Sequence, residues 1–134
     1  MTGIVKIEGI GPAYKEKLVA AGIKTTEKLL EVGCKAKARE ELAGKTDISS
    51  KLILEWVNLA DLMRIRGVGE EYSDLLEEAG VDTVVELANR KGENLHAKIL
   101  ETNKEKKLVR QPPGLKQVQK WVEEAKKLPR KVEY

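Results

Sequence analysis

Residues 7–31 (IEGIGPAYKEKLVAAGIKTTEKLLE) and 65–89 (IRGVGEEYSDLLEEAGVDTVVELAN) align without a gap at an offset of 58, with nine of 25 positions identical. The identities are Ile7/Ile65, Gly9/Gly67, Gly11/Gly69, Tyr14/Tyr72, Leu18/Leu76, Ala21/Ala79, Gly22/Gly80, Thr25/Thr83 and Leu29/Leu87. The match continues at Leu42/Leu100 and, after a seven-residue insertion in the second copy, at Trp56/Trp121, Val57/Val122 and Ala60/Ala125. Self-similarity at a fixed period marks one supersecondary unit used twice. The chain therefore divides into a first unit, 1–63, and a second, 64–134, expected to form one compact body.

Each unit reads as helical. Pro12 suits the first position of a helix, Tyr14, Leu18 and Ala21 share a face at spacings of four and three, and Gly22 is a left-handed stop. That predicts a helix over 12–21, and Thr25 predicts an N-cap for a short helix over 26–32. In the second copy Thr83 and Glu86 form a capping box. Gly33 and Gly44 bracket a helix over 35–43, and apolar residues at helical spacing mark helices over 50–63 and from Gly114 through Leu128. Only TGIVKIE at the start and RKVEY at the end read as extended, most simply as irregular tails, with pairing into a short ribbon as the alternative.

The pattern hydrophobe-x-Gly-hydrophobe-Gly-x-x-Tyr-x-x-x-Leu-x-x-Ala-Gly-hydrophobe-x-Thr resembles the helix-hairpin-helix motif. It is similar to the amino-terminal domain of RadA-type recombinases and the carboxy-terminal domain of the bacterial RNA polymerase alpha subunit. It also resembles a family of small uncharacterised prokaryotic proteins built from two such units. The resemblance implies an all-α fold with two tandem helix-hairpin-helix units (SAM-like, RadA N-terminal-like) in a pseudo-twofold repeat. It also implies contact with the DNA phosphate backbone, because glycines let the main chain approach a ligand and the following helix start offers unpaired amides and a positive dipole end. Such contact is sequence-independent and salt-sensitive.

Carried over by position, the first turn is Gly9-Ile10-Gly11, its donors are the amides of Gly9, Gly11 and Ala13, and its cations are Lys15 and Lys6. Pro12 has no amide to offer. The second turn, Gly67-Val68-Gly69, follows Arg64 and Arg66, but Glu70, Glu71 and Asp74 occupy the next helix start, where they satisfy the dipole and repel phosphate. That hairpin is expected to be structural or to contact protein. The first hairpin lacks a preceding helix in its own unit, and the last helix, around Trp121, is expected to pack beside it and close a pseudo-twofold monomer, a helix from a second chain being the alternative.

Composition narrows the alternatives. Net charge is +3, with 104–131 strongly positive and 70–86 strongly negative. No apolar run reaches the ~18 residues of a membrane span, and the opening residues lack a targeting pattern, which points to a cytoplasmic protein. One cysteine, Cys34, and one histidine, His96, suggest no disulfide, metal site or cofactor. Ala43-Gly44-Lys45-Thr46 imitates the end of a nucleotide-binding loop, but the required earlier glycine is Arg39. The acidic pairs are adjacent on helices and point ~100° apart, so no acid/base couple forms. Trp56 and Trp121 read as core rather than base-stacking groups, and Tyr14 and Tyr72 as core with hydrogen-bonded hydroxyls. Lys104–Lys107 reads as a solvated loop, secondarily as a backbone-contacting arm with Arg110. The expectation is a non-catalytic DNA-backbone binder, monomeric or dimeric, that makes contact through the first hairpin with Lys6, Lys15, Arg64 and Arg66, and with Gly67, Val68 and Gly69 of the second turn as further DNA-binding candidates. The alternative is a protein-interaction module that meets a basic partner through Glu70, Glu71, Asp74, Glu77 and Glu78.

Overall fold

A computed structural model describes residues 3–134 and is all-helical there, with eight α-helices. They are α1 (Pro12–Ala20), α2 (Thr26–Gly33), α3 (Ala36–Thr46), α4 (Ser50–Leu62), α5 (Glu70–Glu78), α6 (Val84–Ala88), α7 (Gly92–Lys106) and α8 (Leu115–Lys127). None of them is long and apolar enough to cross a membrane. The chain separates into two units, 1–61 with 131–134, and 62–130. The boundary thus falls two residues earlier than the repeat indicated, and the last four residues belong to the first unit rather than the second.

Local chemistry explains most helix ends. Thr25 caps α2 by accepting the Lys28 amide at 3.1 Å, and Thr83 caps α6 by accepting the Glu86 amide at 3.4 Å. The Glu86 carboxylate reaches back to the Asp82 amide (3.3 Å), one residue before the cap. Gly22 and Gly80 stop α1 and α5 at φ +86° and +97°. Helix α3 departs from expectation, because Gly44 lies inside it. The left-handed stop is Asp47 (φ +57°), an aspartate being among the few side chains that tolerate this region.

The amino-terminal tail also differs from the expected extended form. Thr2 lies outside the described residues, Gly3 makes an isolated bridge to Thr25, and Ile4–Lys6 forms a 3-10 turn that buries Ile4. At the other end the chain is extended, and it is held. The buried Arg39 guanidinium donates to the carbonyls of Gly33 (2.9 Å), Cys34 (3.1 Å) and Glu133 (2.7 Å). The Glu133 amide returns a bond to the Cys34 carbonyl (2.7 Å), and Val132 is buried. The terminal strand of backbone is thereby strapped to the α2–α3 corner.

In the first unit the core gathers Ile7, Ile10, Leu18, Ile23, Leu29 and the α4 residues Ile53, Trp56 and Val57. In the second, Leu75, Leu76, Val81, Leu87, Leu95 and Ile99 surround Val118, Trp121 and Val122 of α8, which packs against α6 and α7. Helix α8 is therefore a core element of the second unit. The helix that covers the first glycine turn is α4 of the same unit, so the expectation that α8 would do so is corrected. The insertion in the second copy lengthens α7 to Lys106 and forms the segment after it, where the Asn103 side chain clamps both backbone groups of Val109 (3.0 and 3.1 Å). Lys104 and Lys106 are accordingly helical, not in a loop.

Candidate functional site

The first glycine turn is built from below. Ile7 and Ile10 are buried, and the Ile10 amide donates to the Ile7 carbonyl (3.2 Å), forcing a tight reversal at Gly9, whose φ is +96°. An L side chain there is strained, and an added Cβ would also stand 3.3 Å from the Trp56 indole nitrogen. Tyr14 meets the same indole edge-on at 5.0 Å. Gly11 is the N-cap of α1 with ordinary extended angles (φ −87°) and open space around it.

The outcome is a helix start with open backbone donors. Among the described residues, the amides of Gly9, Gly11 and Ala13 donate to no protein acceptor, and the first turn of α1 carries no acidic residue. Lys6 and Lys15 are exposed, and neither makes an ion pair among the described residues. Leu18 is the one fully buried side chain of α1, with Tyr14 and Val19 half-buried. Ala21, expected on the buried face, is exposed at the helix end. Ile10 offers no ligand group, since its side chain and amide are both committed to the turn.

The second turn has the same backbone and different surroundings. Gly67 adopts φ +89° beneath Trp121, whose indole nitrogen lies 3.5 Å from a would-be Cβ, and Val68 is buried with its amide bonded to the Ile65 carbonyl (3.1 Å). Gly69 caps α5, and Glu70 and Glu71 fill its first turn. The Arg66 amide is occupied by the Glu124 carboxylate (3.1 Å), so an anion from the protein itself already sits at this corner. The corresponding residue of α4 is Leu59, which is buried and carries no charge, while the acid of the first turn itself is Glu8, which is exposed. The Arg64 guanidinium is tied to the Pro129 carbonyl (2.8 Å), and the Arg66 side chain is exposed. Arg64, Arg66, Gly67, Gly69 and Glu124 line an open depression.

Other features of the second unit extend this picture. Tyr72 donates its hydroxyl to the Gln111 carbonyl (2.9 Å) and tilts against Trp121 at 5.3 Å. Ser73, at the repeat position of Lys15, is fully buried and bonds the Glu70 carbonyl (3.1 Å). Asp74, Glu77 and Glu78 bring carboxylate oxygens within 4.8 Å of one another, and Lys106 pairs with Glu78. Burial, reinforced by the Glu86 carboxylate and opposed by Arg90, pushes the Asp82 carboxyl above the usual carboxylate range. Sequence reasoning missed Glu124 and Arg39. Glu124 is one of two adjacent glutamates on α8, and only the folded chain shows which of them faces the turn.

Three comparisons with known proteins give one match. A family model described as Domain of unknown function (DUF4332) matches residues 8–128. Neither the curated proteins nor the solved structures give a match.

Proposed function

The chain belongs to the DUF4332 family, whose function is unknown, and from that premise we propose a non-catalytic cytoplasmic protein that binds the DNA phosphate backbone without sequence preference. In this reading the two units are tandem helix-hairpin-helix modules in a pseudo-twofold repeat, each with a glycine corner under a tryptophan. The observation that carries the reading is the first corner, where the amides of Gly9, Gly11 and Ala13 have no acceptor among the described residues and the first turn of α1 carries no acid. A phosphate oxygen accepts such amides, and the helix dipole favours its charge. Lys6 and Lys15 supply the counter-charge at this corner. The chain acts as a monomer or homodimer.

The test is a titration of fluorescent duplex DNA at ~50 and ~200 mM salt, because an interface of several phosphate contacts weakens by orders of magnitude over that range. Binding at the lower salt that is weakened by Lys15→Glu supports the reading. No binding at ~50 mM salt overturns it.

One observation favours a second reading, a protein-interaction module. The α5 carboxylates Asp74, Glu77 and Glu78 crowd together beside Glu70 and Glu71, and an acidic face of this kind suits a basic protein segment. Binding of a lysine-rich peptide that Glu71→Lys abolishes, together with indifference to DNA, is the result that would select it.

A further inference from the structure

Helix α8 presents six charged side chains to its surroundings: Lys116, Lys120, Glu123, Glu124, Lys126 and Lys127. Both carboxylates are engaged, Glu123 with Lys126 (3.2 Å) and Glu124 with the Arg66 amide (3.1 Å). Lys116, Lys120 and Lys127 make no ion pair among the described residues. At ~100° per residue these three lie within ~40° of one another, on one stripe. The opposite face, with Val118, Trp121, Val122 and Ala125, is buried in the core, so the stripe has a fixed outward direction.

Helix stability does not account for this placement. Lys116 stands in the first turn, where the macrodipole disfavours a cation, and Lys120 is a like charge four residues on, the spacing at which such pairs repel. Both lysines border shallow depressions that run along α8 toward the second glycine corner. One is lined by Lys116, Lys120 and Lys127 with Gln119 and the two engaged carboxylates, Glu123 and Glu124, the next by Arg66, Gln117, Lys120, Trp121 and Glu124. Arg66 thus continues the cationic stripe.

We propose that Lys116, Lys120, Lys127 and Arg66 form a second contact surface for the phosphate backbone of duplex DNA, beside the glycine turn and not at it. This rests on the DNA-binding reading of the first corner. Because the Glu124 carboxylate and the acids of α5 repel phosphate at Gly67–Gly69, the anion meets the outer face of α8 instead. From Lys116 to Lys127 the helix rises ~16.5 Å, the length of about five base-pair steps at ~3.4 Å each, so the stripe matches a short run of one backbone. Flexible lysines at this spacing recognise charge and not base sequence.

The test uses anisotropy with a fluorescent 20-base-pair duplex and the full chain. One variant reverses the stripe (Lys116→Glu, Lys120→Glu, Lys127→Glu). A control reverses three exposed cations elsewhere in the same unit (Lys91→Glu, Lys98→Glu, Arg130→Glu), with the same change in net charge. The stripe variant is expected to bind at least ~10-fold more weakly at ~50 mM salt and to lose ~2.7 from the slope of log affinity against log salt, the share of three contacts. The control is expected to lose less than ~1 from that slope. Far-UV circular dichroism checks folding, and the triple Lys→Gln variant, expected to weaken binding in the same direction, stands in if the Glu variant is unfolded. Wild-type binding that Lys15→Glu weakens but the stripe variant leaves intact overturns this inference and spares the first reading. Equal weakening by stripe and control also overturns it, since net charge alone would then explain the effect. Absence of wild-type binding overturns both.

Discussion

Replacing Arg39 with methionine removes the guanidinium that joins the α2–α3 corner to the carboxy-terminal strap while keeping an unbranched stem of similar reach. Three carbonyls lose a charged donor, those of Gly33, Cys34 and Glu133 at 2.9, 3.1 and 2.7 Å. A hydrogen bond from a charged group contributes ~1.5–3 kcal/mol. The three do not add, because the Cys34 carbonyl keeps the Glu133 amide and the strap carbonyl can turn to water. The buried Gly33 carbonyl is the one left without a substitute. A loss of ~2–4 kcal/mol follows. For 134 residues an unfolding entropy of ~2.1 cal/mol/K per residue makes each kcal/mol worth ~3.5 °C, so Arg39→Met lowers Tm by ~7–14 °C, and by more if the first unit melts alone. The assay is thermal unfolding followed at 222 nm, with Arg130→Met, at an exposed position, as the control expected to move by less than ~2 °C. A shift for Arg39→Met no larger than the control's would refute the claim that the strap is held through this side chain.

Further outcomes follow from the same geometry. Deleting residues 131–134 should destabilise by an amount similar to Arg39→Met, and adding Arg39→Met to the truncated chain should cost less than it does in the full chain; additive losses in urea titrations would disconnect the two. Gly9→Ala should cost ~1–2 kcal/mol from its positive φ alone, whereas Gly11→Ala, at φ −87° with nothing near, should stay within ~0.5 kcal/mol and still weaken DNA binding by placing a methyl beside the open amides; the opposite stability ranking contradicts the assignment of the turn. Because the folded-state pKa of Asp82 is raised, its ionised form is disfavoured by folding, and stability from this group is regained as pH falls through that raised value toward the unfolded one. Asp82→Asn should therefore be more stable than wild type at pH 7, with the advantage shrinking as pH is lowered through the carboxylate range, and urea midpoints across that range would reveal any other trend.

Much of the helical layout was legible because it is specified locally. Pro12, Thr25, Gly22 and their repeat counterparts act within a few residues of themselves, and the observed ends fall within a residue or so of those expected. Gly44 misled because a glycine tolerated within a helix looks like a stop, while Asp47, the real left-handed residue, tolerates that region but is a weaker stop signal in sequence than glycine. The partner of the first turn was misassigned for another reason. In sequence, motif order placed a helix before each turn, whereas Trp56 covers Gly9 from the end of its own unit, a pairing set by packing and not by order. The Arg39–Glu133 bond spans 94 residues, and no local signal encodes it. At the candidate site, the glycines and Lys15 could be read directly. The carboxylate of Glu124, which distinguishes the second corner from the first, needed the helix to be placed before its direction could be known.

The central claim is that open amides at the first corner receive a phosphate. Amide chemical-shift mapping tests it most directly: the 15N-labelled chain is titrated with a short duplex at ~50 mM salt and each backbone amide is followed. The account predicts that Gly9, Gly11 and Ala13 shift among the most strongly, and more than Gly67 and Gly69, whose corner faces the carboxylates of Glu124, Glu70 and Glu71. Saturating DNA that leaves those three amides unmoved would contradict it.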